Sequence, residues 1–498
     1  MCFYERIYVM TEFHSRFEQL QRRVPIDEHN CSVQFDVKKC KNCTMCLRAC
    51  CNTQTIMDYY YLPSTGDMPI CVHCGQCANA CPFGAITEVN DVERVKAALQ
   101  DPDKIVIFQT APAVRVGLGE AFGMDPGTFV EGKMVASLRS LGADFVFDTD
   151  FGADMTIMEE ATELMHRVQS DEIPTPQFTS CCPGWVEFAE IYYPEIIPNL
   201  STTKSPISIF SPIIKTWFAK NKEIDVKKMV VVCVTPCTAK KSEIIRPQLN
   251  ASSDYWDDPT LVDTDICITT RELANWIKEE NIDFNALEDS AFDKVFGQSS
   301  GGGKIFGNTG GVMESALRSA YYFQTGENAP AEFIPFEPVR GLNGIKEADV
   351  TIGDYTLKIA AISGLGNVRK FLDLHMGDNT LTDYAFVEVM ACPGGCIGGG
   401  GQPLVKMPQV KKVQEARMAS LYQSDTDAAV KASWENPEIK DLYNDFLEKP
   451  LSERSEEFLH TYYQNQSELL GPMKHVTPQT NPMSKQYKPP TPPADEKA

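Results

Sequence analysis

The chain has 498 residues, of which 43% are apolar and 23% charged, as in a globular protein long enough for two or three domains. A formal net charge of −22 disfavours a nucleic-acid partner, because the phosphates would be repelled. No apolar stretch reaches the roughly 18 residues of a membrane span, and the first residues lack the apolar core of a signal peptide. The cysteines are spaced as metal ligands, which suits a reducing compartment. We therefore expect a cytoplasmic protein.

Residues 1–30 are a polar extension, and residues 31–95 are expected to form one unit bounded by short strands at 33–37 and 85–88. This unit holds two quartets spaced C-x2-C-x2-C-x3-C: Cys40, Cys43, Cys46, Cys50 and Cys71, Cys74, Cys77, Cys81. Bacterial ferredoxins with two 4Fe–4S clusters have this spacing, and the fourth cysteine of each quartet ligates the other cluster. We therefore predict that Cys81 completes the first set and Cys50 the second. Structural zinc, with four sulfurs per ion, is the less favoured alternative.

Residues 96–405 alternate between apolar strands and helical segments, which predicts an α/β domain. The predicted strands are Lys104–Thr110, Ala143–Asp148, Met229–Thr235, Ile266–Thr270, Lys358–Ile362 and Tyr384–Met390. A helix is predicted at Asp154–Val168, with Asp154 as its N-cap. Residues 406–465 are charged and helical, with segments at Gln409–Tyr422, Pro437–Glu448 and Ser452–Tyr463, and the Pro-rich residues 466–498 are expected to be disordered.

Four further cysteines lie in three segments: TSCCPGW at 179–185, TPCTAKKSE at 235–243, and EVMACPGGCIGGGGQP at 388–403. Each segment follows or ends an apolar strand, where loops commonly build the sites of α/β proteins. A buried structural cysteine is the alternative for each one alone. Together, Cys182, Cys237, Cys392 and Cys396 predict a third cluster, formed only in the folded chain.

These three segments resemble the signature motifs of iron–iron hydrogenases, and the resemblance covers roughly residues 35–465. It implies an α/β catalytic domain of two lobes around an H-cluster, an N-terminal α+β ferredoxin-like domain and a helical C-terminal extension. The H-cluster of the family is a 4Fe–4S cubane joined to a diiron unit with CO, cyanide and dithiolate ligands. By resemblance, Cys182, Cys237, Cys392 and Cys396 hold the cubane, Cys396 bridges to the diiron unit, and Lys240 hydrogen-bonds a cyanide. The implied reaction is 2H+ + 2e− ⇌ H2.

The resemblance also implies a proton path from Cys181 through Glu160, Ser201 and Glu163, with Arg167 at its end. Helical spacing places Glu160, Glu163 and Arg167 on neighbouring positions, although an exposed helix face is the alternative for Glu163. Pro112, Ala113, Thr235 and Met390 are expected to line the cofactor. Two of them depart from the family, which commonly has Ser at position 113 and Met at position 235, so we expect an altered direction bias or overpotential rather than lost activity.

Electrons are expected to enter at the ferredoxin-like domain from a soluble carrier such as ferredoxin or flavodoxin, and the acidic charge favours a carrier with a basic patch. Maturation proteins would supply the diiron unit.

Two alternatives to a hydrogenase remain. Related non-enzymatic proteins assemble iron–sulfur clusters, and a hydrogen sensor is conceivable. Cys181, Lys240, Glu160 and Ser201 favour the enzyme, because a scaffold has no need of them.

Overall fold

The computed structural model describes residues 23–56, 70–170 and 173–470. Most of the predicted N-terminal extension and of the predicted disordered tail therefore lies outside the described residues. None of the helices in the described ranges combines the length and the apolar character that crossing a membrane requires.

Ten strands form three sheets within the described part of the chain. They are β1 Val33–Phe35, β2 Ile86–Glu88, β3 Ile105–Thr110, β4 Phe145–Asp148, β5 Gln177–Phe178, β6 Met229–Thr235, β7 Ile266–Thr269, β8 Ile345–Ile352, β9 Tyr355–Ser363 and β10 Tyr384–Met390. All six strands predicted in the α/β region are confirmed to within three residues at each end, and β5 and β8 were missed.

The described α-helices lie mainly between these strands and after them. They are α1 Met45–Arg48, α2 Gln76–Asn79, α3 Val92–Gln100, α4 Glu131–Ser140, α5 Thr149–Gln169, α6 Pro183–Tyr192, α7 Pro206–Ile213, α8 Ala219–Asn221, α9 Lys240–Glu243, α10 Ala251–Trp256, α11 Thr270–Glu279, α12 Gly301–Lys304, α13 Gly311–Thr325, α14 Leu365–Gly377, α15 Val410–Asp427, α16 Pro437–Leu442 and α17 Glu453–Leu459.

One sheet is parallel throughout, in the order β4-β3-β6-β7. Its central strand β6 is buried over its whole length, which explains its unbroken apolar run, since helices cover both faces of such sheets. Successive residues of β3 point to opposite faces: Val106 and Phe108 join one apolar cluster and Ile107 joins another.

The second large sheet has the order β5-β10-β9-β8, with β8 antiparallel to β9. A two-residue turn at Gly353 and Asp354 joins β8 to β9, and Gly353 has a φ of 58°. β8 carries several polar residues at the sheet edge, so its apolar pattern was too weak to predict. One apolar cluster joins Val33 and Ile86 of the N-terminal unit to Trp185 and Val389 beside this sheet, so the two parts share a core.

All the motif segments leave the carboxyl ends of parallel strands. Ala113 follows β3, Cys181 follows β5, Cys237 follows β6 and Cys392 follows β10. The ends of parallel strands meet along one edge of a sheet, where α/β proteins place their ligands. The two large sheets thus present four motif loops toward a common region.

Helix α5 begins five residues earlier than predicted, and the predicted N-cap was wrong. Asp148 caps the helix by accepting a hydrogen bond from the Asp150 N–H at 3.0 Å. Asp154 lies inside the helix and is fully buried. Its carboxylate accepts hydrogen bonds from the Ser300 N–H and from the side chains of Ser300, Ser433 and Asn436 at 2.5–2.9 Å.

Asp154, Glu159 and Arg318 make three of the buried attachments between the C-terminal helical segment and the core. Glu159, also on α5, accepts hydrogen bonds from the Tyr443 hydroxyl and from the Leu451 N–H. The third is a bidentate ion pair in which the fully buried Arg318 donates to Asp425 at 2.9 and 2.7 Å. Breaking such buried pairs is strongly destabilising, because the remaining partner has lost its water as well.

We expect Asp154→Ala to lower the free energy of unfolding by about 3 kcal/mol, because several buried donors would lose their acceptor. The midpoint of denaturant unfolding of the purified chain measures this. Asp378→Ala, at an exposed position after α14, is the matched control. A shift for Asp154→Ala no larger than that of the control would show that the segment is held by other contacts.

Candidate metal and catalytic site

The two cysteine quartets of the N-terminal unit fold alike. In each, the second residue after the first cysteine is left-handed, with a φ of 52° at Asn42 and 57° at His73. The N–H of Asn42 donates to the Cys40 sulfur at 3.4 Å, and that of His73 donates to the Cys71 sulfur at 3.3 Å. Such N–H donors to sulfur tune the potential of iron–sulfur clusters.

The sulfurs are grouped across the quartets. Burial raises the pKa of Cys50 well above its ordinary value, and the thiolates of the adjacent Cys51 and of Cys74, Cys77 and Cys71 raise it further. A small cavity is lined by the other set, Cys40, Cys43, Cys46 and Cys81, together with Arg23 and Phe83. Cys50 therefore lies with the second quartet and Cys81 with the first.

The four remote cysteines also meet. Burial raises the pKa of Cys392 well above its ordinary value, and Cys237, Cys182 and Cys396 add to the shift, as does Cys74 of the N-terminal unit. Buried thiolates that repel one another need a compensating positive charge. Within the described ranges, no three His, Cys, Asp or Glu side chains are arranged to hold a single metal ion. A polynuclear iron–sulfur group suits this set of soft donors.

The N-terminal unit approaches the catalytic loops through glycines. Gly75 follows Cys74 with a φ of 67°, and a Cβ on Gly400 would lie 2.3 Å from the Cys74 carbonyl oxygen. Gln54 fixes the contact from the side, because its amide donates to the Ala391 carbonyl at 3.0 Å and accepts from the Leu365 N–H at 3.1 Å. Only glycines permit the two backbones to come this close. The close contact places Cys74 beside Cys182 and Cys392.

Lys240 is buried next to these cysteines. Its ammonium donates to the Cys181 carbonyl at 3.1 Å and pairs with Glu243 at 2.5 Å. Although burial lowers the pKa of Lys240, the Glu243 carboxylate outweighs it and raises the pKa above its usual value. Ser205 and Ser208 donate to the other Glu243 oxygen, which holds the carboxylate in place.

Glu160 on α5 is fully buried, and neither of its carboxylate oxygens has a partner among the described residues. Burial raises the pKa of Glu160 well above its ordinary value, and the charges of Glu163 and Glu388 raise it further. The pKa of the buried Cys181 thiol is raised by burial and then by Glu160, so the two groups are neighbours. Both therefore favour their protonated forms.

The remaining residues of the predicted path form a hydrogen-bonded group. Ser201 donates to Glu163 at 2.7 Å, and Arg167 donates to the other Glu163 oxygen at 2.7 Å. Glu163 is 6% exposed, so the exposed-face alternative is wrong. Arg167 is also buried, and it binds the carbonyls of Pro174, Pro198 and Leu200.

The four residues expected to line the cofactor are buried at the loops named above. Thr235 donates its hydroxyl to the Cys237 carbonyl at 3.0 Å and accepts from the Cys237 N–H at 3.3 Å, so it closes the turn at that cysteine. Gln402 donates to the Ala113 carbonyl at 2.7 Å. Pro112 begins a short 3-10 turn, and Met390 ends β10.

Two site residues were missed. Glu243 lies in a motif that was recognised, four residues beyond Ala239, and a carboxylate three residues after Lys240 on a helix was the available signal. Gln54 follows the first quartet and reaches a carbonyl 337 residues further along the chain. Nothing local in the sequence marks that contact.

The chain matches three protein families: "4Fe-4S binding domain" over residues 67–87, "Iron only hydrogenase large subunit, C-terminal domain" over 104–400 and "Iron hydrogenase small subunit" over 411–466. The NADP-reducing hydrogenase subunit HndD of Solidesulfovibrio fructosivorans is 45% identical over 87% of this chain and 74% of its own length. Iron hydrogenase 1 of Clostridium pasteurianum is 44% identical over 88% and 77%.

Among solved structures, FeFe-hydrogenase HydA1 from Chlamydomonas reinhardtii in its apo form is 39% identical, with a TM-score of 0.66, over 76% of this chain and 99% of that one. A more distant relative, the cytosolic iron-sulfur assembly component 3 of Bos taurus, is 29% identical over 79% of this chain and 82% of its own length.

We expect Cys50→Ser to lower the iron content by up to about four atoms per chain, because one 4Fe–4S cluster loses a ligand. The adjacent Cys51 is buried and outside both predicted ligand sets, so Cys51→Ser is the matched control and should retain its iron. Iron analysis with electron paramagnetic resonance of the reduced protein measures both. Equal loss in the two variants would contradict the assignment of Cys50.

Proposed function

The chain belongs to the iron-only hydrogenase family and interconverts protons and H2, and we propose how its own residues divide that work. The H-cluster supplies the redox chemistry and the place where hydrogen binds, while the protein supplies ligands, electrons and protons. We assign Cys182, Cys237, Cys392 and Cys396 to its cubane. The observation that carries this assignment is the convergence of these four sulfurs, on one buried and three half-buried cysteines, from loops of two different sheets.

Electrons enter through the two 4Fe–4S clusters of the ferredoxin-like unit, residues 31–95. The set with Cys40 and Cys43 is the outer one, because Cys43 is exposed. The set with Cys74 is the inner one and is in contact with the catalytic loops. We propose a catalytic domain of two lobes, residues 96–405, and a helical segment at 406–465 that closes over it.

Protons pass between Cys181 and Glu160 and then reach the group of Ser201, Glu163 and Arg167. Burial and neighbouring charges raise the pKa of Cys181 and that of Glu160, which favours the protonated form of each, so each can hold a proton and hand it on. Arg167 acts as a positioning residue, because its donors fix Glu163 and three carbonyls around it. Lys240 presents a charged ammonium toward the cofactor, and Glu243 and the Cys181 carbonyl orient it.

We propose a cytoplasmic enzyme that exchanges electrons with a small carrier protein of the ferredoxin or flavodoxin type and receives its diiron unit from maturation proteins. The cysteine usage supports a reducing compartment. A 42% identical relative is named a periplasmic Fe hydrogenase large subunit, which makes localisation a point to measure.

Hydrogen evolution from reduced methyl viologen by the chain co-expressed with maturation proteins tests the function. Infrared bands of bound CO and cyanide should accompany the activity. A protein that carries its 4Fe–4S clusters and these bands but neither makes nor consumes H2 would contradict the assignment.

We expect Glu160→Gln to lower hydrogen evolution at least about 100-fold, because an amide cannot take up and release a proton. The cluster spectra and iron content should be unchanged. Glu160→Asp, which keeps the ionisable group, should restore part of the rate, and Glu453→Gln on an exposed turn of α17 is the control. A Glu160→Gln enzyme that keeps more than a tenth of the rate would exclude Glu160 from the path.

We expect Gly400→Ala to slow electron transfer into the catalytic domain several-fold, because the added Cβ pushes the Cys74 loop away. Stopped-flow reduction should show the ferredoxin-like clusters filling normally while H2 formation lags. Gly377→Ala is the matched control, since a Cβ there meets nothing within 4 Å. Identical kinetics in both variants would show that this contact does not govern the transfer.

A further inference from the structure

The surface around the outer cysteine set is basic, although the whole chain carries a net charge of −22. Residues 36–48 contain four basic side chains, Lys38, Lys39, Lys41 and Arg48, and one acidic side chain, Asp36. All four basic residues are exposed. Only Lys39 pairs with a described carboxylate, that of Asp36 at 3.8 Å, and this ion pair is itself exposed.

Two exposed apolar side chains, Val37 and Phe83, belong to the same part of the surface as these charges. Val37 is 67% exposed and Phe83 is 47% exposed, so both offer apolar surface to a partner. Phe83 and Lys41 line the same small cavity as Cys40, Cys43, Cys46 and Cys81. Lys41 and Phe83 therefore lie beside the sulfurs of the outer cluster set, and Val37, Lys38 and Lys39 immediately precede Cys40 in the chain.

We propose that this basic segment, residues 37–48 with Phe83, is the docking face for a small acidic electron-carrier protein. The proposal rests on the proposed entry of electrons at the ferredoxin-like unit. An acidic carrier is repelled by the net negative charge of this molecule and attracted by these lysines, so the field favours an approach toward the outer cluster set. The contact is small and transient, as in other redox pairs, and its charges act mainly on the association rate.

An acidic carrier is the opposite of the partner expected from the net charge of the chain. The acidic composition favoured a carrier with a basic patch, yet the charge next to the outer cluster set has the opposite sign. A carrier senses the charges within about one Debye length of its docking site, roughly 10 Å at 0.1 M salt, rather than the sum over the chain.

The test uses the matured full chain and the triple variant K38E/K39E/K41E. With reduced acidic two-cluster ferredoxin at low salt, KM should rise at least about tenfold, and the Kd from biolayer interferometry should rise with it. Added salt should raise KM for the unmodified chain and leave that of the variant nearly unchanged. Iron content, cluster spectra and the rate with methyl viologen, a small dication, should stay within twofold or increase.

The matched control is K220E/K222E/K228E, which reverses three exposed lysines before β6, at the end of that strand opposite Cys237. The control should leave KM and Kd for ferredoxin within twofold. Equal effects in the two triple variants, or none in K38E/K39E/K41E, would overturn the docking face. Failure of the unmodified chain to evolve H2 from methyl viologen would instead overturn the proposed function, and the Kd values would still decide the docking.

Discussion

Buried sulfur atoms that repel one another are the constraint around which the rest of this structure is arranged. Their pKa values are raised by burial and by each other, so the thiolate form is costly until positive charge compensates it. Two parallel arrangements of strands bring them together, because every motif loop begins where a strand ends. The strongly apolar strands β6 and β10 thus serve to fix the positions of Cys237 and Cys392 against that repulsion.

Much of this could be predicted from the sequence. Apolar runs identified β6 and β10 to the residue, although Glu388 interrupts the second, and the ligand spacing indicated that Cys50 is grouped with the second quartet and Cys81 with the first. The edge strand β8 was not predicted because half of its residues are polar. The start of α5 was predicted too late because Asp148 and Asp154 can both cap a helix. Asp154 has its partners 146, 279 and 282 positions away, and no local pattern reports contacts of that range.

The buried carboxylates show two different uses of the same group. Glu163 and Asp154 have every oxygen satisfied by donors, which makes them rigid parts of the protein. Glu160 lies between them on α5 without a hydrogen-bond partner for either oxygen among the described residues. A buried polar group without hydrogen bonds destabilises the folded state. Its place beside Cys181 offers a reason for keeping it, because the two groups can exchange a proton.

The buried attachments of the C-terminal segment bear on whether it must be joined covalently to the core. Asp154, Glu159 and Asp425 hold it through side chains, while the connection that leads into it carries the exposed Leu404 and Met407. A covalent break in that connection would leave every one of these bonds intact. The family that matches this segment is named for a small subunit, and a break at this point would change the number of polypeptides while leaving the packed interior as it is.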